Sequence, residues 1–132
     1  MFSTLGMMRV RGVRGATTAG ANERGAIIDA TEELLRKMVD ENGIDPEDLA
    51  AVQFTTSPDL VAEFPAVAAR ERLGWVYVPL LNSHEMSVSH AQARCIRALM
   101  LWNTEKSQRE VRHVYLRDAV NLRKDLPNTA KH

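Results

Sequence analysis

The sequence predicts an α/β domain in which helices pack on a single mixed β-sheet, and three observations lead there. Strand-like and helix-like segments alternate along the chain, glycine or proline marks the end of each, and 132 residues at 45% hydrophobic content suffice for one core but not two. Residues 9–18 alternate like a strand, Arg9-Val10-Arg11-Gly12-Val13-Arg14-Gly15-Ala16-Thr17-Thr18, and a turn follows whose Asn22 suits a helix N-cap. Ile27, Ile28, Thr31, Leu34, Leu35, Met38 and Val39 then recur at helical spacing, with Gly43 as a left-handed terminator. Pro46 starts a short helical turn, and residues 49–56 read as a strand broken by Ser57-Pro58-Asp59. A second helix spans 65–73 and is closed by Gly74; residues 75–81 form a third strand. Ala93, Arg97, Met100 and Leu101 share a stripe at helical spacing, which predicts a third helix over 91–101. A polar connection over 103–110 leads to a last strand at 111–116. Residues 1–7 are expected to be a flexible extension, 8–125 the domain and 126–132 a mobile tail.

Bulk properties exclude several classes of function. Seventeen Lys and Arg balance seventeen Asp and Glu, so no overall basic field draws the chain to nucleic acid or to an anionic membrane. No apolar run is long enough to span a bilayer, and the first residues lack the apolar stretch of a secretory signal. The single cysteine, Cys95, forbids an internal disulfide and suits a reducing cytoplasm.

Arg97 is the most informative residue. A guanidinium keeps its proton, so among apolar neighbours it calls for a carboxylate, a phosphate or an anionic ligand, unless it snorkels to water from an amphipathic surface. Arg11 and Arg14 beside Gly12 and Gly15 either admit a close-approaching ligand or charge an edge strand against unwanted pairing. Glu85 reads equally as a solvated loop acid and Tyr115 as half-buried packing. His84-Glu85 followed by His90 lacks the one-turn spacing of a zinc motif, so no metal is expected. The glycines at 12, 15, 20 and 25 match neither phosphate-loop pattern, and there is no nucleophile elbow.

Taken in order, these residues resemble the monofunctional chorismate mutases of the small trimeric α/β class. The resemblance spans Met8 to Asp125 and rests on Arg11-Gly12-Val13-Arg14-Gly15-Ala16-Thr17-Thr18, Ser57-Pro58-Asp59-Leu60, Phe64-Pro65-Ala66, Gly74-Trp75-Val76-Tyr77-Val78-Pro79, Glu85-Met86, Cys95-Ile96-Arg97 and Arg112-His113-Val114-Tyr115-Leu116. It implies a pseudo-barrel homotrimer whose active sites lie between subunits. It also implies isomerisation of chorismate to prephenate, on the shikimate route to phenylalanine and tyrosine, in the cytoplasm and without a cofactor.

Matching positions carry the site across. Arg97, Arg14 and Glu85 are the implied catalytic groups; Tyr115 adds a polar substrate contact, and Leu81, Asn82, Ser83, His84 and Glu85 line one side of the cleft. Phe64, Ala66, Arg70 and Leu122 match wall or rim positions, and the tail from Asn121 through Arg123 is expected to close over the cleft. Two positions depart from the family pattern. Asn82 replaces a cysteine that can hydrogen-bond near the substrate hydroxyl, a role its amide can keep, and Val67 replaces a rim lysine, removing a charge that would attract an anionic substrate. Two other readings remain: an imine or enamine deaminase on a similar trimeric scaffold, and a non-catalytic protein that binds a carboxylated metabolite.

Overall fold

The computed structural model describes residues 7–122 and the backbone of 129–131. Its elements are β1 (Arg9–Thr18), α1 (Arg24–Asn42), a 3-10 turn (Pro46–Asp48), β2 (Leu49–Thr56), α2 (Ala66–Leu73), β3 (Leu80–His84), β4 (Cys95–Thr104), β5 (His113–Tyr115), a second 3-10 turn (Arg117–Asn121) and β6 (Thr129–Lys131). One six-stranded mixed sheet runs β3-β2-β4-β1-β5-β6. The fold class is therefore the one expected. Residues 1–6, 123–128 and 132 lie outside the described residues, as do the expected extension and tail over those numbers and any closure by Arg123.

The centre of the sheet is the ten-residue antiparallel ladder of β1 and β4, from Arg9 opposite Thr104 to Thr18 opposite Cys95. Side chains alternate across it. Ile96, Ala98, Met100 and Trp102 are buried beneath the helices, whereas Arg97, Leu99, Leu101 and Asn103 point to the opposite face. Helix α1 lays Leu34, Leu35 and Met38 into this core with Val13, Val52, Phe54 and Val114, while Ile27 packs with Ala19, Leu60 and Ile96, and Ile28 with Val67 and Ala68. Its one buried hydroxyl, on Thr31, donates to the Ile27 carbonyl at 2.7 Å and so carries no unpaired polar cost. At the helix end Gly43 takes φ 67°, and Ile44 N–H bonds the Val39 carbonyl at 3.1 Å. Asn42 then ties the helix to the start of β5, accepting from Arg112 N–H and donating to Arg112 O, both at 2.8 Å.

The structure corrects four local expectations. Residues 95–104 form a strand rather than the end of a helix over 91–101. The run lies between β1 and β2 with apolar side chains on both faces, and such a pattern satisfies helical spacing as well as alternation. The third strand starts at Leu80, not residue 75, because Trp75 is buried behind α2 while Val76 and Tyr77 stand exposed in a turn. Glu23, not Asn22, stands at the N-cap of α1; the Asn22 side chain instead accepts from Val61 and Ala62 N–H at 2.9 and 3.0 Å. Finally, β1 pairs with β4 along its whole length but with β5 only at Gly15 and Ala16, so the stretch bearing Arg9, Arg11 and Arg14 keeps one side without a strand partner, and its glycines do not both clear space for a ligand. The space cleared by Gly15 is taken by the core: a Cβ there would collide with Met38 Sδ and stand 3.0 Å from Leu34 Cδ1.

Candidate active site

The helices cover one face of the sheet and leave the other open. On the open face, register sets Arg97 of β4 between Ala16 of β1 and Thr55 of β2, and Arg14 of β1 opposite Leu99 of β4. Glu85 follows β3 directly. Its N–H donates to the Thr56 carbonyl at 2.7 Å, and its Oε2 accepts from Thr55 Oγ1 at 3.0 Å. Arg97 Nε lies 3.9 Å from that same Oε2, close enough for attraction but beyond a hydrogen bond. The Arg97 side chain is 38% exposed, so its charge is aimed without being consumed.

Beneath Arg97, two positions earlier on the same strand face, lies the buried Cys95 thiol. Burial raises its pKa above the ordinary value, while the charge and hydrogen bond of Arg97 pull the other way. The thiol stays protonated at neutral pH and is a packing neighbour, not a nucleophile.

Arg14 is anchored through its backbone, whose N–H donates to His113 Nδ1 at 3.0 Å. In neutral His113 that contact leaves the proton on Nε2. Arg14 Nε is buried with no hydrogen-bond partner among the described residues. An unpaired buried guanidinium N–H costs on the order of 1–3 kcal/mol or more, which marks a place where an anion is favourable. Gly12, Arg14, Glu85, Arg97, Leu99 and His113 are among the residues that line this concavity of about 420 Å³.

The sequence-derived residues divide between two surfaces. Arg14, Glu85 and Arg97 come together on the open face. Tyr115 pairs with Ala16 on the same face but is buried beside it, its ring packed with Ala16 and Ala119 and flanked by Leu122. Phe64, Asn82, Ser83 and His84 line a separate concavity of about 380 Å³ at the ends of β2 and β3. The two concavities share no lining residue. Asn82 points to the helix side, where its Oδ1 accepts the Ala66 N–H at 3.0 Å at the start of α2, and His84 Nε2 lies 3.2 Å from the Leu60 carbonyl. Phe64 is 62% exposed, Leu81 and Arg70 are exposed, and Ala66 is buried. Val67 is buried against Ile28 and Ala68, in the packing between the helices. Sequence reasoning missed Thr55, His113 and the contact of Cys95 with Arg97.

Two guanidiniums on an open sheet face, set against one carboxylate and, among the described residues lining that concavity, without a nucleophile and base in contact, define a class. It is that of α/β proteins whose open sheet face can receive a small anionic molecule. The sequence profile of chorismate mutase type I matches residues 10–126. The chain is 53% identical over 118 residues to chorismate mutase AroH of Thermus thermophilus, covering 89% of this chain and 96% of that protein. It is 43% identical over 122 residues to chorismate mutase AroH of Bacillus subtilis, covering 92% and 96%. A solved chorismate mutase from Clostridium thermocellum superposes with a TM-score of 0.80 at 39% identity, over 82% of this chain and 96% of that one. The chain belongs to the chorismate mutase type I family, and its function is that of a chorismate mutase.

Proposed function

We propose that chorismate rearranges to prephenate at the Arg97 concavity, in a cleft completed by a neighbouring subunit of a homotrimer. The reaction is concerted: an ether carbon–oxygen bond breaks while a carbon–carbon bond forms, and no proton moves. Catalysis therefore consists of holding the reactive conformer and stabilising charge that appears on the ether oxygen. Arg97 meets that oxygen. Being a permanent cation only loosely engaged by Glu85, it strengthens its contact as negative charge grows, and so favours the transition state over the ground state. Arg14, with its unpaired buried Nε, grips the side-chain carboxylate together with Tyr115. Glu85, held by Thr55, accepts the hydrogen bond of the ring hydroxyl. Phe64 and Leu122 exclude water from the far side.

The observation that carries this reading is the pair of under-used guanidiniums on one face: Arg97 at 3.9 Å from its carboxylate and Arg14 with an orphan Nε. The division of site residues between two separate concavities supports assembly from more than one copy, as does apolar exposure on the open face, where Leu81, Leu99 and Leu101 are 70%, 40% and 37% exposed. Among the described residues no helix is long and apolar enough to cross a membrane, and the buried free thiol supports a reducing, cytoplasmic setting.

The purified chain mixed with chorismate should consume its ultraviolet absorbance, with prephenate as the product on chromatography. Arg97→Ala should lower turnover at least about a hundredfold, the cost of losing one oxyanion donor. Arg97→Lys should recover little, since an ammonium lacks the forked donors. Substrate binding without turnover by the unaltered chain would favour a metabolite sensor, and release of ammonia from an imine a deaminase. Intersubunit assembly has its own test: co-refolding the Arg97→Ala chain with a Phe64→Asp chain should restore part of the activity that each lacks alone. Failure to complement, in a mixture shown by mass to contain mixed oligomers, would place the site within one subunit.

A further inference from the structure

Residues 57–59 play no part in the chemistry above, yet the end of β2 holds both ends of the segment that separates Glu85 from Arg97. Thr55 and Thr56 fix its departure at Glu85, through the 3.0 Å side-chain bond and the 2.7 Å backbone bond. Ser57 and Asp59 fix its return. Asp59 accepts the Arg94 N–H with both carboxylate oxygens, at 2.9 and 3.2 Å. Ser57 Oγ accepts the Cys95 N–H at 2.8 Å and donates to Asp59 Oδ1 at 2.5 Å, while Ser57 N–H donates to the Cys95 carbonyl at 2.9 Å.

Between these bonds Arg94 adopts φ 49°, a left-handed conformation in which a side chain is strained. That residue stands directly before β4, where Cys95 begins the ladder opposite Thr18 and Arg97 falls between Ala16 and Thr55. On the other side, Ala19 N–H meets the Arg94 carbonyl at 2.8 Å. Strain of this kind persists only where surrounding bonds impose it, and here the Asp59 carboxylate supplies the only side-chain acceptors for Arg94 N–H among the described residues.

We propose that Ser57 and Asp59 are positioning residues for catalysis: by holding Arg94 left-handed they set where the Arg97 guanidinium stands relative to Glu85. Asp59 suits the task because its carboxyl is held below the ordinary range, foremost by the Ser57 hydroxyl and also by the Arg94 N–H, so the acceptor is ionised at neutral pH. The inference rests on Arg97 being the group that meets the ether oxygen.

Steady-state kinetics of the full chain with chorismate test it, using D59A, R94G, the double variant D59A/R94G, and R97A as the control. Misplacing a catalytic group by a fraction of an ångström should lower kcat of D59A about tenfold while KM stays within about twofold. Glycine adopts positive φ without strain, so R94G alone should stay within about threefold of the unaltered chain, and D59A/R94G should regain most of the lost kcat. A purely structural role for Asp59 would lower the melting temperature without rescue of kcat by R94G. Should D59A fail to fold, D59N and D59N/R94G give the same comparison. Normal kcat in the Asp59 variants, or a double variant as slow as the single one, overturns the proposal. Normal turnover by R97A overturns instead the site reading on which it rests.

Discussion

The two faces of β4 are made by one run of ten residues and obey different rules. On the covered face Ile96, Ala98, Met100 and Trp102 are buried, and each gains stability from apolar area removed from water. On the open face Arg97 stands 3.9 Å from its carboxylate, and Leu99 and Leu101 remain exposed. Stability is concentrated on one side of the strand, and the proposed chemistry on the other. The sheet can therefore tolerate a face of under-satisfied cations because the opposite face secures the register that aims them.

That contrast makes a dissociation testable. Met100→Ala should remove about 2–5 kcal/mol of unfolding free energy in denaturant titration, the usual range for truncating a buried side chain, while the kcat of the folded fraction changes little. Arg97→Ala should do the reverse, with its loss in turnover and a near-normal unfolding midpoint. Comparable losses of kcat in both variants would break the comparison. Next in size, Gly15→Ala should destabilise by about 1–3 kcal/mol through overpacking against Met38 and Leu34, read as a lower melting temperature. Smaller still, Arg14→Ala should raise KM about tenfold or somewhat more, about 1.4 kcal/mol of lost carboxylate binding, with a lesser effect on kcat. Unchanged KM would release Arg14 from the clamp.

Much of the covered face was legible in the sequence. Helical spacing from Ile27 to Val39 with Gly43 beyond it, the run before Gly74, and the alternation in β1 and β2 correspond to observed elements. Strand β4 was not, because a central strand with apolar residues on both faces carries no clear period, and the Ala-rich residues before it favour a helix. The demand that Arg97 makes for negative charge did not depend on that error. The guanidinium is 38% exposed and so only partly withdrawn from water, and Glu85 stands 3.9 Å from it, within reach of attraction on a strand as it would be on a helix.

What the sequence left hidden in the site is set by pairing between distant segments. Cys95 lies two residues before Arg97 and would follow from a strand assignment alone, since positions two apart share a face. Thr55 reaches the site through the β2–β4 register, and His113 through a contact with Arg14 across 99 residues of chain. Neither leaves a local signal. The separation of Phe64 and Asn82 from Arg97 likewise becomes visible only once the sheet order is known.

Whether the Arg97 guanidinium meets the ether oxygen as its bond breaks is tested most directly by a crystal structure with a bicyclic ether mimic of the transition state. An Arg97 nitrogen should stand about 2.7–3.1 Å from the bridging oxygen, with Arg14 on a carboxylate of the mimic. A guanidinium turned away from the bridge, with the mimic bound in the same concavity, would contradict that contact.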